Sequence, residues 1–543
     1  MDRKLISGLA LIVAVVCLLP LLGVIAAAAL GTLETLSALA ETVLWRYTWT
    51  TLVLVMLVAL GSIVIGGITA WLVVTTEFRG RRILEIALVI PLAFPAYVLA
   101  YAYTDILDHP GIVQSSLRAI MGWGPRDYWF PEIRSLGGAA CMLTLVLYPY
   151  VYLMARAAFR LQAATPFYAA RSLGASPARA FLTVSLPMAR PAIAAGALLV
   201  VMETIADFGT VAHFSVQTFA TGIYTSWFGL ADRAAAAQLA LGLLTFALLV
   251  AALEYINRGK ATFATRGRQE GFMRQNLSGR RALAAQVICI LPVLFGVIIP
   301  TVTLILMGLR SEQNILSPRY LHFIQNSLTL STIAALVTVG AAVVLGTFNR
   351  VFAGKTALIA LFIGRLGYAV PGGVIAVGLL VPFASFDNWL DAKMEAWFGI
   401  STGLLISGSI WLLIAAYLIR FLAAAIGSYD SGLSSVTRNV DAASRVLGRS
   451  AWGTVRHVHM PILRGSVLTA LLIVFVDTIK ELPATLILRP FNYDTLAVQA
   501  FRLASDERLQ GAAVPSLMIA GIGLLPVLLL CAQVGDWRPG VRK

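Results

Sequence analysis

The sequence predicts an all-α polytopic membrane protein with about 12 transmembrane helices arranged as two parallel six-helix repeats. Three observations predict it. Of 543 residues, 59% are hydrophobic and 12% charged, and a water-soluble chain of this size would need far more polar cover than that. Apolar windows of about 20 residues, the length that crosses a bilayer, recur as six and then six. A short segment also occurs twice, once in each half: Tyr168-Ala169-Ala170-Arg171-Ser172-Leu173-Gly174 and Ala442-Ala443-Ser444-Arg445-Val446-Leu447-Gly448. Pro187 follows Gly174 at the same interval as Pro461 follows Gly448.

The first window, 6–30, follows Met1-Asp2-Arg3-Lys4 and is longer than a signal-peptide core, so it reads as a span entered from the cytoplasm. Windows at 50–74, 83–103, 137–158, 190–213 and 234–254 complete the first six. Those at 283–307, 326–348, 357–381, 402–424, 465–488 and 512–534 make the second six. This divides the chain into a first transmembrane domain, 1–256, a cytoplasmic linker, 257–282, and a second transmembrane domain, 283–543.

Orientation follows from the joins between spans. Arg79, Arg81 and Arg82 lie between spans 2 and 3; Arg156, Arg160, Arg171, Arg179 and Arg190 bracket the join between spans 4 and 5; the linker is rich in Arg. In 104–136 and 489–511, acids largely offset the bases, so the first set of joins is cytoplasmic and the second external. An even number of spans per half makes the halves parallel and places both termini in the cytoplasm. The net charge of +15 is thus a membrane-orientation signal and does not point to nucleic acid. Cys17, Cys141, Cys289 and Cys531 stand singly in apolar runs, without metal or disulfide spacing, and read as packing residues.

The duplicated segment reads as a compact helix-turn-helix at the membrane surface. Pro166 suits a helix start, Gly174 the left-handed residue that ends it, and Ser176-Pro177 the cap and first turn of the next helix. Asp441, Ala442, Ala443, Arg445 and Gly448 repeat the design. Small alanines allow a partner's close approach, and Arg171 and Arg445, each in the same place before its glycine, suit an acidic or carbonyl-lined groove.

A second repeated constellation lies within the spans. Glu203 and Asp207 in span 5 correspond to Asp477 and Glu481 in span 11, in the same register that relates Gly174 to Gly448, which predicts paired acids one turn apart on one helix face. Charge at that depth marks an interior, a pore or a partner. Two readings stay open: a cation path or gate, or a brace at one end of the bundle with Lys480 pairing locally. Pro483 and Gly209 predict breaks beside both pairs. His213, His457 and His459 form no metal set, so metal ligands are unassigned, and His457 and His459 read as interfacial residues of the docking region.

On these motifs the chain resembles the fused permease subunit of a type I ATP-binding-cassette importer, whose signature loop reads Glu-Ala-Ala-x-x-x-Gly followed, after a fixed interval, by Ile-x-Leu-Pro. Gly174 and Gly448 match its centre, and Val184-Ser185-Leu186-Pro187 and Val458-His459-Met460-Pro461 its end. The leading Glu is replaced by Tyr168 and Ala442, with Asp441 immediately before the second. The resemblance implies two copies of a cytoplasmic ATPase docked on the two loops, a periplasmic substrate-binding protein, and a bacterial inner-membrane location. It implies a transport subunit and not an enzyme: the sequence lacks Gly-x-x-x-x-Gly-Lys-Ser/Thr, so ATP and Mg belong on the partner and this chain binds no cofactor. Glu203 to His213, Thr218 to Tyr224 and Lys480 to Pro490 look most like ferric iron permeases. Thiamine permeases, which share the fused architecture, are the nearest alternative. A secondary transporter would share the hydropathy but not the paired loops.

Overall fold

The computed structural model describes residues 2–162, 165–258, 274–352 and 354–534. Among the described residues, eleven helices are long and apolar enough to cross a membrane, or twelve if one bent pair counts as a span. Each half has the same order of elements. A leading helix (Asp2–Ala29; Gly279–Val293, continuing to Leu309) precedes a long second one (Trp45–Thr75; Pro318–Phe352). A broken third element precedes the fourth helix (Leu136–Leu161; Ile410–Leu433). A short surface helix (Thr165–Ser172; Arg438–Val446), a fifth helix (Leu186–Ala206; Met460–Ile479) and a sixth (Arg233–Arg258; Leu509–Val534) complete the half.

Four of the twelve windows are broken within, and a fifth, 402–424, becomes helical only at Ile410. Window 83–103 is bent by 94° between Arg81–Ala93 and Ala96–Met121. Window 357–381 breaks at Gly367–Ala369 before Gly372–Phe398. Pro95 and Pro371 lie at these breaks in extended conformation, and each disfavours helix in the residue before it. Windows 190–213 and 465–488 end as helices at Ala206 and Ile479, with short helices Gly209–His213 and Pro483–Leu488 beyond. Hydropathy averages over such breaks because the residues on both sides are apolar.

The fifth helices begin through wide π turns at Phe181–Ser185 and Val455–His459, in matching positions of the two halves. A proline follows closely after each, Pro187 and Pro461. With no N–H it cannot make the regular helical bond, and a π turn absorbs the missing donor.

Each leading helix reaches across to the other half. Asp2–Ala29 packs against Gly372–Phe398, Pro318–Phe352 and Lys355–Leu366, while Ile299–Leu309 touches Ala96–Leu107. The closest crossing is glycine on glycine: a Cβ on Gly23 would lie 1.8 Å from the Gly378 carbonyl oxygen, and one on Gly378 2.1 Å from that of Pro20. Small residues at helix crossings let backbones meet where lipid supplies no hydrophobic drive. Gly23→Val is expected to cost about 1–3 kcal/mol, read as a lower melting temperature in detergent. Gly8→Val, at a site with open space around its Cβ, should leave it unchanged.

The linker lies largely outside the described residues. The sixth helix of the first half runs on to Arg258, and the second half already begins at Gly279. Just before it, Gln275–Asn276 pairs in parallel with Thr76–Glu77. The polar joins sort onto two faces. Arg81, Arg156 and Arg160 all converge on Glu85, joining the segment after span 2 to the end of span 4. Arg134, between spans 3 and 4, instead meets Glu507, between spans 11 and 12. Cysteines 17 and 289 are buried and 531 partly so; Cys141 is exposed, a departure from the packing role its apolar setting predicts.

Candidate functional site

The two surface helices share one construction. In the first, Gly174 takes a φ of +88°, and Ala175 N–H closes on the Ala170 carbonyl. In the second, Gly448 takes +76°, and Arg449 N–H closes on Ser444. These are left-handed helix ends that glycine adopts without steric penalty. Ser176 and Ser450 then cap the following turns by accepting from Arg179 N–H and Gly453 N–H. Ala169, Ala442, Ala443 and Tyr168 are exposed, Tyr168 at 42%, and Ala170 is half-buried. Arg171 donates to the Ala175 carbonyl at 2.5 Å and Arg445 to that of Asp441 at 3.3 Å, so both guanidiniums lie on their own loops.

The exposure of Leu173 (88%) and Leu447 (79%), immediately before the two glycines, was not singled out by sequence reasoning. A large aliphatic side chain held in the open beside a rigid turn recurs at the same register in both halves.

What lies beneath the two helices differs. Under the first, Trp71 packs against Phe159, Phe167 and Phe181 with ring centroids 4.8–5.4 Å apart. Under the second, Asp441 accepts from Arg350 Nε at 2.6 Å and bonds His459 Nε2 at 2.7 Å. Asp441 thus faces inward as a brace, whereas its place beside the missing motif acid suggests a group offered to a partner. His459 is buried (3% exposed) and not interfacial; His457 stays exposed and bonds the Gly453 carbonyl. Burial opposes ionisation of Asp441, but the bonds from His459 and Arg350 outweigh it and hold the carboxyl below its ordinary 3.8. Asp441→Asn is expected to loosen the second helix while sparing the first. Protease cleavage or hydrogen exchange confined to 438–448 would show it.

The four intramembrane acids line one cavity between the halves. Their helical placement differs from the spacing rule. Glu203 and Asp477 lie on the fifth helices, but Asp207 and Glu481 lie past their ends. Each of these caps the short helix that follows: Asp207 accepts from Thr210 and Val211 N–H, Glu481 from Ala484 and Thr485 N–H, all within 3.0–3.2 Å. The one-turn spacing was real, but breaks in both helices turn a same-face pair into a wall acid and a capping acid. Lys480 pairs with Asp477 at 2.9 Å and reaches the Leu92 carbonyl of the other half at 3.4 Å.

Arg420, from the fourth helix of the second half, is the member that sequence reasoning missed. It lies 3.8 Å from Glu203 of the first half and 3.8 Å from Glu481 of the second. One Arg inside an apolar span was the available signal. Tyr97 lines the same cavity. His213 lies apart from the acids, bonded to Thr104 at 3.0 Å and edge-on to Tyr101. Among the described residues no three His, Cys, Asp or Glu side chains are grouped to hold a metal ion.

A clamp of ion pairs joins the two halves on the opposite face. Arg134 reaches both Glu507 oxygens, at 2.7 and 2.8 Å, and Asp108 at 3.0 Å. Glu507 is held at a φ of +56°, uncommon for a residue with a Cβ. Its hydrogen bond to Arg134 keeps its carboxyl below the ordinary 4.5. A depressed carboxylate contributes stability above its unfolded pKa and loses it as pH falls through the folded one. The clamp should therefore hold at neutral pH and open progressively below about pH 4.5. Spin labels placed across it in Glu507→Gln at pH 7 should show the separation that wild type reaches in acid.

Residues 62–260 match the family described as binding-protein-dependent transport system inner membrane component. The chain is 26% identical over 491 residues to the Fe(3+)-transport system permease protein FbpB 2 of Haemophilus influenzae, covering 88% of each. It is 24% identical over 487 residues to the ferric transport system permease protein FbpB of Actinobacillus pleuropneumoniae, covering 86% of this chain and 66% of that one. It is also 25% identical over 526 residues to the probable ABC transporter permease protein y4fN of Sinorhizobium fredii, covering 89% and 87%. The crystal structure of a bacterial ABC transporter that imports alginate aligns with 47% of this chain and 96% of its own at a TM-score of 0.37 and 17% identity.

Proposed function

We propose that this chain, a multi-pass inner-membrane permease of the ATP-binding-cassette importers, carries ferric iron inward between its two halves. What carries the reading is its likeness, over 88% of both chains, to a permease named for Fe(3+) transport. The cavity supports it: four carboxylates outnumber the two bases Arg420 and Lys480, and oxygen donors suit a hard cation.

In this reading, 1–256 and 283–543 form the two transmembrane domains, and two copies of a cytoplasmic ATPase dock on Thr165–Ser172 and Arg438–Val446. Leu173 and Leu447 are the anchors. Tyr168, Ala169, Ala170 and Arg171, with Asp441, Ala442, Ala443 and Arg445, shape the contact, and Gly174 and Gly448 set its angle. Pro187 and Pro461 start the fifth helices that carry motion to Glu203, Asp207, Asp477 and Glu481. ATP and Mg are bound by the partner, and this chain needs no cofactor. The termini face the cytoplasm, and a periplasmic binding protein delivers cargo to the face where Arg134 meets Glu507.

The test is ATP-dependent uptake in proteoliposomes holding this chain, its ATPase and its binding protein, with labelled ferric ion against labelled thiamine. Ferric uptake that needs all three components is the expected result. Thiamine uptake would keep the machine and replace the cargo. Uptake without ATPase would overturn both.

A further inference from the structure

The cavity breaks the molecule's internal symmetry at two points. In the register that relates Gly174 to Gly448, Arg420 and Lys480 of the second half correspond to Val146 and Ala206 of the first, and all four line the cavity. The carboxylates are duplicated but the bases are not. The first half brings Glu203 and Asp207 with no base in these positions; the second brings Asp477 and Glu481 together with Arg420 and Lys480.

The two bases are held differently. Lys480 is bonded to its neighbour Asp477 at 2.9 Å. Arg420 stands 3.8 Å from Glu203 and 3.8 Å from Glu481, beyond hydrogen-bond length on both sides, and its Nη1 is buried without a hydrogen-bond partner. A guanidinium offers five donors in a fixed fork and normally docks on carboxylates at closer range. Here it is retained by charge between carboxylates of opposite halves. In the same cavity, Tyr97 is 4% exposed and has a buried hydroxyl with no hydrogen-bond partner. A loosely held cation, two carboxylates and an unengaged phenol describe a site already filled by a tethered charge.

We infer that Arg420 is a built-in counter-ion and latch: it occupies the place of a multivalent cation in the cavity, and the arriving cation releases it by taking Glu203 and Glu481. Displacement removes the ion pair between Arg420 and Glu203 that joins the halves at this level, so cargo entry and separation of the halves become one event. The inference rests on the cation-importer reading, and a neutral or anionic cargo would have no claim on these carboxylates.

The test uses the full transporter with its ATPase in nanodiscs, without binding protein, and reads basal ATP hydrolysis. Arg420→Met and the near-isosteric Glu203→Gln are each expected to raise it about fivefold or more, a shift typical of a coupling contact. The double variant should not exceed the larger single effect, because both remove one contact. Arg420→Lys, which restores the charge, should return the rate towards wild type. Basal rates unchanged in monodisperse Glu203→Gln and Arg420→Met would overturn the latch. In a second arm, wild type with binding protein receives ferric ion as its citrate complex. Ferric uptake that falls in Glu203→Gln supports the cation as the releasing agent. A fivefold latch response without any ferric uptake by wild type would overturn the cation's role, and the cargo reading with it, while leaving the mechanical contact in place.

Discussion

Leu173→Asp combined with Leu447→Asp is expected to leave the permease inserted and folded while its ATPase no longer co-purifies. Both side chains are almost fully exposed, at 88% and 79%, so little packing within this chain is lost. Each stands beside a positive-φ glycine that fixes the direction of the loop. A charged group forced into an apolar pocket cannot keep its water, and the burial of a leucine side chain is worth about 1.5 kcal/mol or more, so each loop should weaken about tenfold or more. With two loops serving two ATPase copies, the double change should abolish coupled uptake. The single variants separate the halves. Loss from Leu447→Asp but not from Leu173→Asp would mean that only the second loop, braced by Asp441, carries load. Full ATPase association in the folded double variant would remove the anchor role.

Glu481→Ala should have the second large effect, and on stability. Its carboxylate is nearly inaccessible, accepts from Ala484 and Thr485 N–H and from the Thr485 hydroxyl, and faces Arg420. Truncation leaves two buried N–H groups without acceptors and a guanidinium short of one carboxylate. Removing one partner of a buried pair costs about 3–5 kcal/mol. Glu481→Gln keeps an acceptor for the cap and should lose less. Thermal unfolding in detergent is expected to rank Ala below Gln below wild type. Asp207→Ala should cost less than Glu481→Ala, since Asp207 caps Thr210 and Val211 but is not paired with Arg420. Equal melting points for Glu481→Ala and wild type would mean that water replaces the cap.

The duplicated loop shows how much of the site was legible in the chain. Gly174 and Gly448 were marked by a register kept in both halves, and a left-handed turn is a local requirement that one residue type meets best. The serine caps were readable for the same reason. Asp441 was not: its partners Arg350 and His459 are 91 and 18 residues away, and only folding brings them to it. The equivalent site in the first half holds the aromatic cluster around Trp71, so the repeat keeps backbone geometry and lets the supporting chemistry differ.

The acids make the same division more sharply. Their type, depth and duplication could be read from spacing, because charge in an apolar run is costly wherever the run folds. That Asp207 and Glu481 cap new helices depended on where the fifth helices stop, and both stop inside windows that hydropathy reads as unbroken. Spans, their pairing into halves and the turn glycines follow from composition, period and local sterics, which act between near neighbours in the chain. The crossing of Gly23 on Gly378, and Arg420 lying between Glu203 and Glu481, arise between residues far apart in the chain. No local preference encodes them; they exist because two bundles exchange their leading helices and pack around one cavity lined by four acids and two bases.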